Sequence, residues 1–259
     1  MHAFAVFTCG MHGFVHIRKG EGELRTMEGK AGAACASLRI RNLVKTYRDG
    51  ASEVTALALG EADFGAGEQW AVVGPSGCGK STLLHCISGM IAPTKGVIET
   101  EAGNIVTFDE KALQQWRRRT IGYIFQEFNL IDALSAEENI GLGAYFGGMT
   151  TNGDYTSTVN RLLDAMEIGN LRHKKPKALS RGEQQRVAVA RALVKGPGIV
   201  LADEPTASLD AENGDRVMSL LTAYCKEQGA TLLVVTHEER IKAYFSNVLS
   251  LQKGDAHVV

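Results

Sequence analysis

The sequence predicts an α/β fold with a phosphate-gripping core, on three observations. A short apolar run, "WAVVG", feeds a glycine-rich loop that opens into a helix at Lys80-Ser81-Thr82. Two later runs of strand length, "IVLADE" and "LLVVTH", each deliver polar side chains at their carboxyl ends. Segments of helical spacing separate these runs, and 259 residues suit one large α/β domain or one domain carrying an inserted subdomain.

Taken in order, "SLRIRNLVKTYRDG" alternates as a strand does, and "EVTALALGEADFGAGEQWAVVG" reads as short strands broken by Gly. A helix is expected from Lys80 to Met90, followed by strand and turn character in "KGVIETEAGNIVTF". The stretch "ALQQWRRRTIGYIFQEFNL" predicts a helix and then a buried strand ending near Gln126. From Ser135 to about Lys195 the spacing is mainly helical, with breaks at Gly147-Gly148 and "TNGD". After that, "GIVLADE", "ATLLVVTH" and "NVLSLQKGD" alternate with helices, and there are no internal repeats. Residues 37–259 therefore read as one domain with a helical subdomain at about 127–195. Residues 1–36 read as an extension, either disordered or produced by a misassigned start, with translation then beginning at Met27.

Lys and Arg number 28 against 29 Asp and Glu, a net charge of −1, so no nucleic-acid partner is expected. No apolar run approaches the roughly twenty residues that span a bilayer. The five cysteines, Cys9, Cys35, Cys78, Cys86 and Cys225, are odd in number and lack C-x-x-C spacing. They suggest neither a disulfide framework nor a zinc site, and point to a reducing cytoplasm. The positive charges near the N-terminus follow the apolar part, the reverse of a signal peptide.

The chemistry concentrates in "GPSGCGKST", residues Gly74, Pro75, Ser76, Gly77, Cys78, Gly79, Lys80, Ser81 and Thr82. The three glycines let successive amide hydrogens converge on phosphate oxygens, and the helix N-terminus adds its own free donors. Lys80 is placed to reach the β- and γ-phosphates, and the Ser81 hydroxyl to coordinate Mg²⁺. Cys78, inside the loop, is expected to be alkylated in a way that blocks ATP. Asp203 follows a buried strand and suits a second Mg²⁺ ligand acting through water, while Glu204 suits the general base that polarises the attacking water. His237, at another strand end, is a candidate γ-phosphate contact. In "LSRGEQQRVAVARALVKGP", Ser180 and Gly182 open a second helix whose N-terminus could bind an anion. One ATP does not lie at two helix N-termini of one compact domain, so a sandwich of two chains is expected, each offering its second helix to the other's phosphate loop.

The set "GPSGCGKST", "LSRGEQQR", "LADEPTASLD" and "VVTHEE", in this order, resembles the ATP-binding cassette ATPases over residues 37–259. The resemblance implies a P-loop core with an antiparallel β subdomain and an inserted α-helical signature subdomain. It implies ATP and Mg²⁺ as ligands, Tyr47 as the aromatic stacked on adenine, and Gln126 as a residue touching Mg²⁺ and the attacking water. Ser208 to Asp210 would cross to the second copy, and His237 would be the switch histidine. Arg181 and Glu183 depart from the commonest signature, which has Gly and Gln there. "WRRRTIGYIFQEFNLIDALSAEENI" and "ADEPTASLDAENG" resemble more narrowly the lipoprotein-releasing and macrolide-exporter group, LolD/MacB-like, which is also similar to the cell-division subunit FtsE. That group implies a homodimer on the cytoplasmic face of the inner membrane, docked through the segment Glu127 to Ile140 on the coupling helix of a permease. Its work would be export or lipoprotein release, or an FtsE-like control of cell-wall hydrolysis without transport.

Overall fold

The computed structural model describes residues 36–50, 52–149, 153–252 and 256–258. The expected N-terminal extension, with Met27, lies outside the described residues apart from Ala36. The chain runs β1 (Leu38–Asp49), β2 (Ser52–Phe64), β3 (Gln69–Val73), α1 (Lys80–Ile87), β4 (Lys95–Thr100), β5 (Gly103–Asn104), α2 (Glu110–Thr120) and β6 (Ile121–Ile124). It continues through α3 (Ala136–Gly147), α4 (Gly153–Ala165), α5 (Arg181–Leu193), β7 (Ile199–Asp203), α6 (Ala211–Gln228), β8 (Thr231–Val235), α7 (Glu239–Lys242), β9 (Asn247–Leu251) and β10 (Ala256–Val258). The fold is α/β, with one antiparallel and one mainly parallel sheet.

The central sheet has the order β10-β9-β3-β8-β7-β6. Its strands from β9 to β6 are parallel and β10 is antiparallel. Both faces are covered, which explains why β7 and β8 read as unbroken apolar runs rather than alternating ones. Val200, Ala202, Leu232 and Val234 face the core shared with α3 to α6. Ile199, Leu201, Leu233 and Val235 face the opposite core, under α1 and the second sheet. That second sheet is antiparallel, in the order β2-β1-β4-β5.

Three boundaries differ from the sequence reading. β2 is one continuous strand rather than short pieces: it pairs with β1 on both sides of Gly60, Leu59 with Leu43 and Glu61 with Arg41, and Gly60 takes no left-handed φ. α1 stops at Ile87 rather than Met90: Gly89 takes a left-handed φ of 67°, and the Met90 N–H turns back to the His85 carbonyl at 2.9 Å. The strand expected to end near Gln126 ends at Ile124, which leaves Gln126 exposed beyond the sheet.

Candidate active site

Parallel strands collect their carboxyl ends on one edge, and ligands of open α/β sheets bind there. Register sets which groups meet. Asp203 pairs with Val235 and Ile124 with Ala202, so the segments after β6, β7 and β8 emerge side by side. They close a cavity of about 500 Å³ lined by Ala56, Gln126, Glu204, His237 and the loop residues Ser76, Gly77, Gly79, Lys80, Ser81 and Thr82.

The loop's shape follows from its glycines. Gly79 caps α1 in a left-handed conformation, and a Cβ there would lie 2.3 Å from the Ala56 carbonyl oxygen. At Gly74 a Cβ would lie 2.3 Å from the Leu251 carbonyl oxygen. The cradle therefore exists only without those side chains, as a backbone-lined anion site requires. Lys80 donates from Nζ to the carbonyls of Gly74 at 2.9 Å and Pro75 at 3.0 Å, a reach that arches it over the loop. Ser81 donates from Oγ to Asp203 Oδ1 at 3.0 Å, joining α1 to the end of β7. A hydroxyl beside a carboxylate is a hard oxygen pair of the kind that suits Mg²⁺. No cluster of three or more His, Cys, Asp or Glu able to hold a metal occurs among the described residues. An ion held with phosphate oxygens fits this donor set better than one held by protein alone.

Glu204 adopts a left-handed φ of 47° although it is not glycine. This turn keeps its carboxylate beside the cavity after the strand has ended, at a backbone cost of about 1–3 kcal/mol. Oε1 meets His237 Nδ1 at 2.8 Å, while Oε2 is enclosed and has no protein partner among the described residues. A buried acceptor without a partner is rare in a folded protein and singles out Glu204 as a candidate for function.

Not every expected residue reaches this cavity. Tyr47 lies on β1, half exposed at 45% and paired in register with Val54 on β2, outside the cavity wall and with Lys45 Nζ 5.0 Å above its ring. Gly74 and Pro75 serve through their carbonyls. Cys78 is a correction: its side chain is buried in the core beneath the loop and does not line the cavity, so the thiol is shielded from alkylation. Ala56 was not legible, because nothing local announces that β2 will cross the loop.

Ser180, Gly182 and Asp210 form a separate surface. Ser180 and Glu183 make a reciprocal cap of α5, with Ser180 N donating to Glu183 Oε2 at 2.7 Å and Glu183 N donating to Ser180 Oγ at 3.3 Å. Those bonds hold the Glu183 carboxyl below its ordinary range. Arg181 turns away, its guanidinium 5.6 Å from the centre of the Phe128 ring. Gly182 has no room for a side chain: a Cβ would lie 2.5 Å from Asn213 Oδ1. Asn213 is in turn bound through N and Nδ2 to Asp210, at 2.9 and 2.8 Å. None of these three residues lines the phosphate-loop cavity.

The model of the ABC transporter family matches residues 61–207. The chain is 36% identical over 225 residues to the uncharacterized ABC transporter ATP-binding protein MJ0796 of Methanocaldococcus jannaschii, covering 84% of this chain and 94% of that one. It is 37% identical over 220 residues to the lipoprotein-releasing system ATP-binding protein LolD of Legionella pneumophila, covering 85% and 96%. With the macrolide export ATP-binding/permease protein MacB of Brucella melitensis it shares 36% over 222 residues, 86% of this chain but only 34% of that longer protein. The dimeric, post-hydrolysis structure of MJ0796 bound to ADP and Pi superposes with a TM-score of 0.78 at 35% identity, over 85% of this chain and 96% of that one. A phosphate-loop cavity holding an unspent carboxylate, matched across most of its length by ATP-binding cassettes, shows that this chain belongs to the ABC transporter family as one of its ATPases.

Proposed function

We propose that two copies of this chain close face to face around two Mg-ATP and thereby drive a membrane permease in export or lipoprotein release, at the cytoplasmic face of the inner membrane. Within each copy we take residues 37–259 as the cassette and about 127–195 as its helical signature part. The observation that carries the reading is Glu204: it lines the cavity with the phosphate-loop residues, one carboxylate oxygen meets His237, and the other is enclosed with no protein partner among the described residues.

In this reading the loop amides and Lys80 bind the β- and γ-phosphates, and Tyr47 stacks on adenine at the rim. Ser81, Asp203 and Gln126 would hold Mg²⁺, which when bound neutralises charge on the phosphate oxygens. Glu204 accepts the proton of the attacking water, and His237 orients that carboxylate. Ser180 and Gly182, remote from their own cavity, address the γ-phosphate held by the second copy, with Asp210 crossing beside them. The relatives named LolD and MacB support the transport assignment, and the dimeric MJ0796 structure supports the pairing.

The permease would dock through the segment Glu127 to Ile140, of which Asn129 and Ile131 line an apolar groove of about 400 Å³ shared with Met90, Tyr123, Phe125 and Phe146. Ile131 and Phe146 are exposed large side chains, the kind of surface that marks an interface. Arg191 of α5 donates to the carbonyls of Phe128 and Asn129, so this groove is tied to the helix that begins at Ser180.

Glu204→Gln keeps the shape of the side chain and removes the proton acceptor. Turnover should fall roughly a hundred- to ten-thousand-fold while ATP binding survives. The variant should then run as a nucleotide-dependent dimer by light scattering, whereas Lys80→Ala stays monomeric with ATP. Hydrolysis by Glu204→Gln at the wild-type rate would remove Glu204 from the mechanism.

A further inference from the structure

Glu238 follows His237 and does not line the cavity, yet its carboxylate ties three pieces of chain together. Oε1 accepts from the Thr206 hydroxyl at 2.6 Å, two residues beyond Glu204. Oε2 accepts from Arg240 Nε at 2.7 Å. Arg240 also donates to the Ala211 carbonyl at 3.0 Å and to Asp215 Oδ1 at 2.8 Å, on the first turns of α6. Glu238 N donates to Thr236 Oγ1 at 3.0 Å, which fixes the backbone on the other side of His237. At Gly214 a Cβ would lie 2.6 Å from the Arg240 guanidinium, so glycine there lets Arg240 lie along α6. Burial pushes the Glu238 carboxyl up, but the bonds from Thr206 and Arg240 outweigh it and hold the group below its ordinary range.

His237 is differently held. Its ring is 64% exposed, and its hydrogen bond among the described residues is the one to Glu204. With a single tether, through Nδ1, the place of the ring is decided by the backbone beneath it. That backbone is pinned by Glu238 to Thr206, which belongs to the same turn as Glu204. We infer that Glu238, through Thr206, is a positioning residue that keeps His237 in register with Glu204 and joins both to the segment 206–211. The inference rests on the reading of Glu204 and His237 as the hydrolytic pair.

Thr206→Val is close to isosteric, removes the donor and leaves Lys80, Ser81 and the loop amides in place. At saturating Mg-ATP its turnover should fall about tenfold, the size expected for one hydrogen bond to a charged group. The KM for ATP should stay within about twofold, because binding groups are untouched. Thr206→Ser returns the hydroxyl and should restore turnover to near the wild-type rate, which a mere packing role for Thr206 would not produce. Glu238→Ala should show the same split between kcat and KM, and the double variant Thr206→Val/Glu238→Ala should fall no further than Glu238→Ala alone. Wild-type turnover in Thr206→Val, a KM rising in step with the loss of kcat, or no rescue by serine would each overturn the inference. Glu204→Gln measured alongside separates the two readings. If it is inactive while Thr206→Val is fully active, only the positioning role falls; if it is fully active, the hydrolytic pair falls as well.

Discussion

Gly77 and Gly79 take similar positive φ values, 75° and 100°, but in different surroundings. A Cβ at Gly77 would meet nothing within 4 Å, whereas at Gly79 it would strike the Ala56 carbonyl oxygen at 2.3 Å. Backbone strain alone costs either alanine variant about 1–3 kcal/mol. Gly79→Ala must in addition displace β2 from the loop, so it should lower the melting temperature more than Gly77→Ala and lose more ATP affinity in a nucleotide-binding titration. Residue positions were legible where spacing fixes them: Lys80 and Ser81 follow β3 by a set count, and Asp203 and Glu204 stand at the end of β7. Orientation was not. Cys78 sits in the same loop, yet its side chain is buried in the core with Leu83 and Leu84. The tether from Thr206 to Glu238 was also hidden, since 32 residues separate partners that only parallel strand pairing brings together.

Among the elements, the buried strands and α5 were legible because their patterns persist over many residues, while the end of α1 was decided by one left-handed glycine. At the end of α5 the chain turns through Lys195, whose amine donates to the Arg117 carbonyl at 2.8 Å. Burial pushes this amine from an ordinary 10.5 down to about 8. Below pH 8 folded and unfolded chains both carry the proton, and the cost of burying the charge is present in full. Between about 8 and 10.5 the folded chain has lost the proton while the unfolded chain keeps it, so this lysine makes stability rise with pH across that window. Lys195→Met keeps the apolar stem and removes the titration. The difference in unfolding free energy between wild type and variant should therefore change across that window, and a constant difference would place the amine in water.

For the whole molecule, the fold class followed from the order of runs and loops, and the separation of the α5 N-terminus from the phosphate loop was expected as well. Sequence reasoning required a second copy because two helix N-termini could not share one ATP; the structure keeps Ser180 and Gly182 off the wall of the cavity that holds Lys80. Arg181, the residue that departs from the commonest signature, rests on Phe128 rather than projecting from α5. Arg181→Gly should thus leave ATP affinity of the monomer unchanged by equilibrium titration. Its effect should appear in the concentration dependence of turnover, where pairing of copies is read. A large loss of monomer affinity would contradict the two-copy arrangement.

The contact of Gly182 with Asn213, and of Asn213 with Asp210, carries a mechanical consequence. The start of α5 lies close against the start of α6, Gly182 leaving the room that the Asn213 side chain fills, and Asn213 is itself held to Asp210 by two hydrogen bonds within the first turn of α6. In the proposed pair, the finger that senses the neighbour's terminal phosphate and the finger that crosses beside it are then a single jaw. In that pair, loss of one phosphate would loosen both at once, and release at each site would come as a snap rather than by peeling contact after contact.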